Sequence, residues 1–104
     1  SSKIINDYDY EIILLGHTDS ISCLINLNYH KLASGSNDRS IKIWDLKEGK
    51  CLQTLTGHRS CVSSIEKIDE NKIASGSMDN SIKIWNSRHL SLIKKDIKII
   101  YVKY

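Results

Sequence analysis

The sequence of 104 residues lacks proline and phenylalanine altogether, and it contains no long apolar run. Its longest runs, at residues 12–15 and 99–102, fall far short of the roughly 18 apolar residues that a membrane helix needs. The first residues have neither the basic start nor the apolar core of a secretory signal. The formal net charge is only +3, which is too small an excess for a general nucleic-acid footprint. We therefore expect no membrane partner.

Cysteine is scarce, and its spacing is not that of a disulfide framework. Cys23, Cys51 and Cys61 are odd in number and form no Cys-x-x-Cys pair. Free thiols fit a reducing compartment, so we expect an intracellular location, cytoplasmic or nuclear. Hydrophobic residues make up 40% of the chain and charged residues 26%, which is ordinary for a folded globular protein and excludes a disordered tail. Isoleucine is abundant, and this β-branched residue favours strands.

The main signal in the sequence is an internal repeat with a period of 41 residues. Residues 14–44 align with residues 55–85, and fifteen positions in that stretch are identical. A period of this length is typical of solenoids and propellers. Within each unit, the segments Ser40–Trp44 and Ser81–Trp85 alternate with period two, as strands do. No segment has the length and periodicity of a helix, so the repeat predicts an all-β chain of antiparallel meanders.

These residues resemble the WD-repeat family of β-propellers. In the first unit, Gly16-His17 is followed 27 residues later by Trp44-Asp45. In the second unit, Gly57-His58 is followed at the same distance by Trp85-Asn86, where Asn86 replaces the aspartate of the family name. The resemblance covers about residues 11–95 and implies four-stranded antiparallel blades.

By this resemblance, the sequence repeats at about 14–54 and 55–95 are offset from two complete structural blades. The segment 10–15 would be the outermost strand of a preceding blade, and the tail 96–104 would be a further strand. No third Gly-His marker follows, because the next position in the period is Lys98-Ile99. The implied strands are 21–26, 32–36, 41–45 and 51–55 in the first blade, and 62–66, 73–77, 82–86 and 91–94 in the second.

The resemblance also implies a structural chain of hydrogen bonds in each blade, running from Trp to Ser to His to Asp. A buried indole N–H needs an acceptor, and such a network stabilises only when each member is satisfied. All eight positions are present: His17, Ser34, Asp38 and Trp44, and then His58, Ser75, Asp79 and Trp85.

The same side chains have the composition of a hydrolase catalytic triad, because each unit supplies a His, a Ser and an Asp. Two copies at identical spacing, with each Ser inside a small-residue strand and not on an exposed elbow, argue against catalysis. A hydrolase that uses the repeated His, Ser and Asp stays a distant alternative, and we expect no enzyme activity. The four histidines and three cysteines lack the short paired spacing of a zinc site. We expect neither a metal nor a cofactor.

The basic tail raises the question of nucleic acid, because lysines and tyrosines alternate there and could follow phosphates and stack bases. Solvent-facing lysines that protect an edge strand explain the same pattern. We favour this second interpretation. The residues concerned are Lys94, Lys95, Lys98, Tyr101, Lys103 and Tyr104.

Positions that differ between the units are the candidates for partner binding, since packing does not dictate them. They lie in the turns after Gly-His and before the repeated Asp, which line one end of the ring in propellers of this family. Arg is enriched in interfaces and Met adapts to partners. We therefore expect Asn37, Arg59 and Met78 to contact a partner protein.

Two blades are too few for a propeller, which typically has four to eight. Either the chain is a segment of a longer propeller, which we favour, or several copies assemble to close a ring. The resemblance implies a non-catalytic scaffold for protein interactions. The short connectors at 28–30 and 69–71 look similar to those of F-box-type members that present substrates for ubiquitination. The alternative function is therefore the substrate-recognition part of an F-box-type ubiquitin ligase.

Overall fold

Two antiparallel β-sheets, one from each repeat, contain all the strands in the described part of the chain. A computed structural model of the protein describes residues 12–28, 30–86 and 99–103, the last range as backbone only. Each sheet has four strands whose order in space follows their order in the chain. The first sheet contains β1 (Ile21–Asn28), β2 (Lys31–Ser36), β3 (Ser40–Asp45) and β4 (Lys50–Thr56). The second contains β5 (Val62–Asp69), β6 (Lys72–Ser77), β7 (Ser81–Asn86) and β8 (Ile99–Lys103).

The prediction of an all-β chain made of four-stranded antiparallel blades is confirmed. Seven of the eight strands begin and end within three residues of the predicted positions. The eighth differs. The strand beside β7 is 99–103 and not 91–94, so the predicted fourth strand of the second blade was wrong. The run Ile99-Ile-Tyr-Val102 contains only β-branched and aromatic residues, whereas two lysines follow Leu92-Ile93. Residues 91–94 themselves lie outside the described residues.

The flanking segments also differ from expectation. Residues 12–15 have no regular secondary structure, so the predicted strand at 10–15 is wrong for its described part. A strand requires a neighbour for its ladder of hydrogen bonds, and the two described sheets do not include the preceding blade to which this segment was assigned. In the tail 96–104, the strand is β8, and it completes the second sheet.

The turn between the second and third strands of each sheet has the same backbone form. Arg39 (φ 75°) and Asn80 (φ 69°) are left-handed. The preceding aspartates, Asp38 and Asp79, accept a hydrogen bond from the backbone N–H two residues further on, at 2.9 Å in both turns. This Asx geometry reverses the chain and places each aspartate at the same end of its sheet.

The sheets pack face to face through β5, which lies against β1 and β2. Val62 and Ile65 are buried there together with Ile41 of the first sheet. Full burial of such side chains contributes about 1.5–3 kcal/mol each. The approach is close at Gly35, because a Cβ atom there would lie 2.7 Å from Val62 Cγ1.

Two hydrogen bonds between the sheets flank this apolar contact. At one end of β1, the Ser22 hydroxyl donates to the backbone carbonyl of Val62. At the other end, Lys67 Nζ donates to the carbonyl of Leu27 at 2.7 Å. The two sheets are therefore joined by polar contacts at both ends of β1 and by apolar side chains between them.

Candidate functional site

In the first sheet, four of the predicted side chains form one continuous chain of hydrogen bonds. The Trp44 Nε1–H group donates to Ser34 Oγ at 2.7 Å. Ser34 Oγ lies 2.7 Å from His17 Nε2, and His17 Nδ1 lies 2.8 Å from Asp38 Oδ2. An ionised carboxylate only accepts, so His17 Nδ1 carries the hydrogen. In the neutral imidazole, Nε2 is then the acceptor, and the Ser34 hydroxyl donates to it.

The second sheet repeats this arrangement almost atom for atom. Trp85 donates to Ser75 at 2.8 Å, and Ser75 lies 2.7 Å from His58 Nε2. His58 Nδ1 lies 3.0 Å from Asp79. In both sheets the His and Trp rings meet edge to face, with centroids 6.2 Å apart. The structure thus brings all eight predicted network residues together as two sets of four.

Each aspartate also holds the loop that follows Gly-His. The Thr18 N–H donates to Asp38 Oδ2 at 3.1 Å, and the Arg59 N–H donates to Asp79 Oδ2 at 2.9 Å. Burial by itself raises the pKa of Asp38, but hydrogen bonds from the Ser40 hydroxyl, from His17 and from backbone N–H groups outweigh burial and hold that pKa well below its usual range.

Asp79 follows the same rule. Burial again acts to raise its pKa, and the Ser81 hydroxyl, the Arg59 N–H and His58 outweigh this and hold the pKa well below its usual range. Both carboxylates are therefore ionised acceptors at neutral pH, which supports the assignment of a hydrogen to Nδ1 of each histidine.

Sequence reasoning missed Ser40 and Ser81, which complete the two networks. The Ser40 hydroxyl donates to Asp38 Oδ1 at 2.6 Å, and Ser81 makes the equivalent hydrogen bond to Asp79. Both serines are buried. The signal that could have found them was present, because this serine is one of the fifteen identical positions of the repeat.

The geometry leaves little room for catalysis at these serines. Ser34 is 2% exposed and Ser75 is 1% exposed. A nucleophilic hydroxyl must reach a substrate carbonyl, whereas each of these lies inside a strand between a tryptophan and a histidine. This burial argues against the hydrolase alternative.

Other kinds of site are not seen in the parts of the chain described above. Over those ranges, no three His, Cys, Asp or Glu residues are grouped so as to hold a metal ion. The same residues include no helix with the length and apolar character to span a bilayer. Cys23, Cys51 and Cys61 are free thiols. Of the basic tail, Lys94, Lys95, Lys98 and Tyr104 lie outside the described residues.

The three predicted contact residues lie on exposed turns at equivalent ends of the two sheets. In the first sheet, the Asn37 N–H donates to the Ser20 carbonyl at 2.9 Å. In the second, the Met78 N–H donates to the Cys61 carbonyl at 3.0 Å, and the Met78 side chain is 69% exposed. Arg59 lies in the same loop as Cys61 and is exposed. We call residues 18–20, 37–39, 59–61 and 78–80 the turn end.

Comparison with known families decides the identity of the repeat. The family model described as "WD domain, G-beta repeat" matches residues 9–45 and 49–86. The chain belongs to the WD-repeat family. The resemblance inferred from the Gly-His and Trp-Asp markers is thereby confirmed, and the two sheets are WD-repeat propeller blades.

Several curated WD-repeat chains are similar over about one repeat. Mitochondrial division protein 1 of Saccharomyces cerevisiae is 54% identical over 39 residues, which are 38% of this chain and 5% of that protein. The tRNA (guanine-N(7)-)-methyltransferase non-catalytic subunit wdr4 of Dictyostelium discoideum is 44% identical over 52 residues, 48% of this chain and 11% of that protein. F-box/WD repeat-containing protein 7 of Drosophila melanogaster is 38% identical over 43 residues, 41% of this chain and 3% of that protein.

The matched WD-repeat segment thus spans 11% or less of the length of these relatives. Among solved structures, the crystal structure of the computationally designed Ika4 protein is similar, with a TM-score of 0.66 and 31% identity. That match covers 78% of this chain and 48% of the designed chain.

Proposed function

We propose that this WD-repeat chain is a non-catalytic scaffold that binds other proteins through its turn end. The proposal rests on a difference in position between the residues that repeat in both units and the residues that vary between them. The repeated His, Ser, Asp and Trp side chains are bound to one another inside the sheets. The residues that differ between the units, Arg59 and Met78 among them, are exposed.

The turn end is held in place before any partner arrives. The Asp79 carboxylate binds the Arg59 N–H, and the Cys61 carbonyl binds the Met78 N–H. A surface that is already ordered loses less conformational entropy on binding than a free loop does. The network inside each sheet therefore supports recognition indirectly, by fixing the backbone of the loops that carry the contact residues.

The side chains of the turn end fit a protein surface with an acidic and an apolar group close together. Arg59 offers a planar guanidinium that can bind a carboxylate through two hydrogen bonds. Met78 offers a flexible apolar side chain that can adapt to its neighbour. Asn37 occupies the position of Met78 in the first blade and offers an amide there, so the two blades present different chemistry at equivalent positions.

The proposal is tested by quantitative capture with cross-linking from cells that express the chain. We expect a set of proteins captured by the parent to fall about tenfold or more with the double variant Arg59→Ala and Met78→Ala, as for interface residues worth more than 1 kcal/mol. Lys47→Ala is the matched control, since Lys47 is an exposed basic residue on the β3–β4 turn at the opposite end of the first sheet. If the double variant captured the same proteins in the same amounts as the parent, the proposal would be contradicted.

A second candidate function is the substrate-recognition part of an F-box-type ubiquitin ligase. Two observations favour it: the short connectors between first and second strands, which span only residues 29–30 and 70–71, and the similarity to the Drosophila F-box protein. It requires that proteins captured at the turn end become ubiquitinated in a manner that depends on Arg59 and Met78. Captured proteins whose ubiquitination is the same in the double variant would exclude it.

For the location, the three free thiols support an intracellular compartment, cytoplasmic or nuclear. Fluorescence imaging of the tagged chain tests this, and secretion into the medium would contradict it.

A further inference from the structure

One residue of the first blade has a backbone conformation that its own residue type disfavours. Arg39, in the turn between β2 and β3, has a φ of 75°, which lies in the left-handed region. Most residues with a side chain are strained there, whereas asparagine tolerates the region better. The equivalent residue of the second blade is Asn80, with a φ of 69°. The same turn therefore contains a suitable residue in one blade and a less suitable one in the other.

The backbone of the two turns is the same, so the turn does not require an arginine. The Arg39 N–H donates to the Ser36 carbonyl at 3.2 Å, and the Asn80 N–H donates to the Ser77 carbonyl at 3.1 Å. The Asx hydrogen bonds in the two turns are equal in length, at 2.9 Å. Asparagine therefore forms this turn as well as arginine does, and at a lower conformational cost.

The side chain of Arg39 does not hold the described fold together. The four ion pairs among the described residues do not include it, and its guanidinium donates no hydrogen bond to any of these residues. The carboxylate beside it, on Asp38, is already engaged on both oxygens. Its Oδ1 accepts hydrogen bonds from the Ser40 N–H and hydroxyl, and its Oδ2 accepts them from His17 and from the Thr18 N–H. Packing and internal hydrogen bonding thus give no reason for an arginine at this position.

The exposure of Arg39 belongs to the turn position itself. Both Arg39 and Asn80 are exposed. They have opposite surroundings, because the sheet of Arg39 packs against the sheet that follows it, whereas the sheet of Asn80 packs against the sheet that precedes it. This position is therefore exposed whichever side of its sheet has a neighbour.

We propose that Arg39 contacts the partner protein and binds a carboxylate of it, an inference that rests on the proposed function of the turn end. Backbone strain at a residue that supports nothing inside the fold is typical of positions that bind a ligand or partner. A guanidinium can hold a carboxylate through two parallel hydrogen bonds, which an asparagine side chain cannot do with the same charge.

The charges of the turn end define which part of the partner faces Arg39. Arg59 brings a second exposed guanidinium, on the loop of the second blade. Asp19 is also exposed, on the loop 18–20 of the first blade, and it repels a carboxylate. The partner segment is therefore acidic, with its carboxylates opposite residues 39 and 59 and away from the loop 18–20.

The experiment uses the proteins that the parent chain captures and that the double variant Arg59→Ala and Met78→Ala loses. Arg39→Gln is the main variant, because glutamine keeps a long polar side chain at the same strained φ and removes only the charge. We expect its thermal midpoint to match that of the parent, and its capture of these proteins to fall about fivefold or more. Arg39→Lys should retain part of the capture, since it keeps the charge without the planar fork. Lys31→Gln is the matched control, because Lys31 is exposed at the other end of β2.

Arg39→Asn separates a contact from a structural role. Relief of the backbone strain should raise its thermal midpoint by a few degrees, while loss of the guanidinium should lower its capture about as much as Arg39→Gln does. A residue with a merely structural role would not lose capture while the fold becomes more stable. Stability and capture therefore change in opposite directions only if Arg39 touches the partner.

Two results would overturn the inference and leave the proposed function intact. One is capture by Arg39→Gln that equals that of the parent, while the double variant still loses the same proteins. The other is a loss of capture in Arg39→Gln that accompanies a lowered thermal midpoint, with normal capture by Arg39→Asn, which would assign Arg39 to the fold. If the double variant also captured the same proteins as the parent, the proposed function would fail, and this inference with it.

Discussion

Trp44 and Ser34 are diagonal neighbours on adjacent antiparallel strands, and the indole N–H of one donates to the hydroxyl of the other at 2.7 Å. The hydrogen bond joins a residue of β3 to the centre of β2 and begins the chain that ends at Asp38. Because each member of this chain is the partner of the next, the loss of one leaves another buried polar group unsatisfied.

Truncation of the network should therefore lower stability. We expect His17→Ala and Asp38→Ala each to reduce the free energy of unfolding by about 1–3 kcal/mol, since each leaves a hydrogen-bonding partner without its mate. The double variant should cost less than the sum, because both changes interrupt the same chain. Urea denaturation followed by tryptophan fluorescence measures these values. Variants as stable as the parent would show that the network contributes no stability.

The two aspartates predict a loss of stability in acid. Their pKa values are lowered in the folded state. Such a group contributes stability that is fully present above its unfolded pKa of about 3.9, and this stability is lost as pH falls towards the folded value. We expect the urea midpoint of the parent to fall from about pH 4 downwards. At neutral pH, Asp38→Asn should be less stable than the parent, and the gap should narrow in acid. A gap that stays constant from pH 7 to pH 3 would contradict this linkage.

The left-handed residue of the β2–β3 turn predicts a stabilising substitution. Arg39 and Asn80 occupy equivalent positions with φ of 75° and 69°. The left-handed region costs most L-residues about 1–2 kcal/mol, and asparagine tolerates it better. Arg39→Asn should therefore raise the free energy of unfolding by up to about 1 kcal/mol, and Asn80→Arg should lower it by a similar amount. Thermal unfolding of the two variants is the measurement, and shifts of the same sign would contradict the explanation.

The close contact at Gly35 predicts that alanine substitutions at the equivalent positions Gly35 and Gly76 lower stability by different amounts. A Cβ at Gly35 would lie 2.6 Å from Cys23 Sγ and 2.7 Å from Val62 Cγ1. Gly35→Ala should cost about 1–3 kcal/mol as overpacking. At Gly76 the close atom is the Ser64 hydroxyl, a short side chain that can rotate away. Gly76→Ala should cost less, and urea denaturation of the two variants measures the difference in the free energy of unfolding. Equal losses would contradict the assigned role of Val62.

Much of the fold and of the hydrogen-bond network could be predicted because the same residues occur at equivalent positions in both repeats. Seven strands lie where the pattern places them, and the eight network residues meet as the family resemblance implies. The last strand could not be placed from the period. Its position beside β7 is taken by the better strand-forming run at 99–103, and the repeat carries no information on a longer connection.

The sequence also could not predict which apolar side chains are buried at the interface between the two sheets. Ile41 and Ile82 occupy the same position of the repeat and are the same residue, yet one is 0% and the other 45% exposed. Periodicity indicates which way a side chain points within its own sheet, but it does not indicate whether another sheet lies against it.

The two polar contacts between the sheets, from Ser22 to Val62 and from Lys67 to Leu27, have a consequence for ring size. Directional contacts at both ends of one strand restrict sliding and rotation of the neighbouring sheets, and they therefore help to set the angle between the sheets. A full turn divided by that angle sets how many blades complete the circle. These two contacts thus help to set the blade count locally, at the junction between two neighbouring sheets.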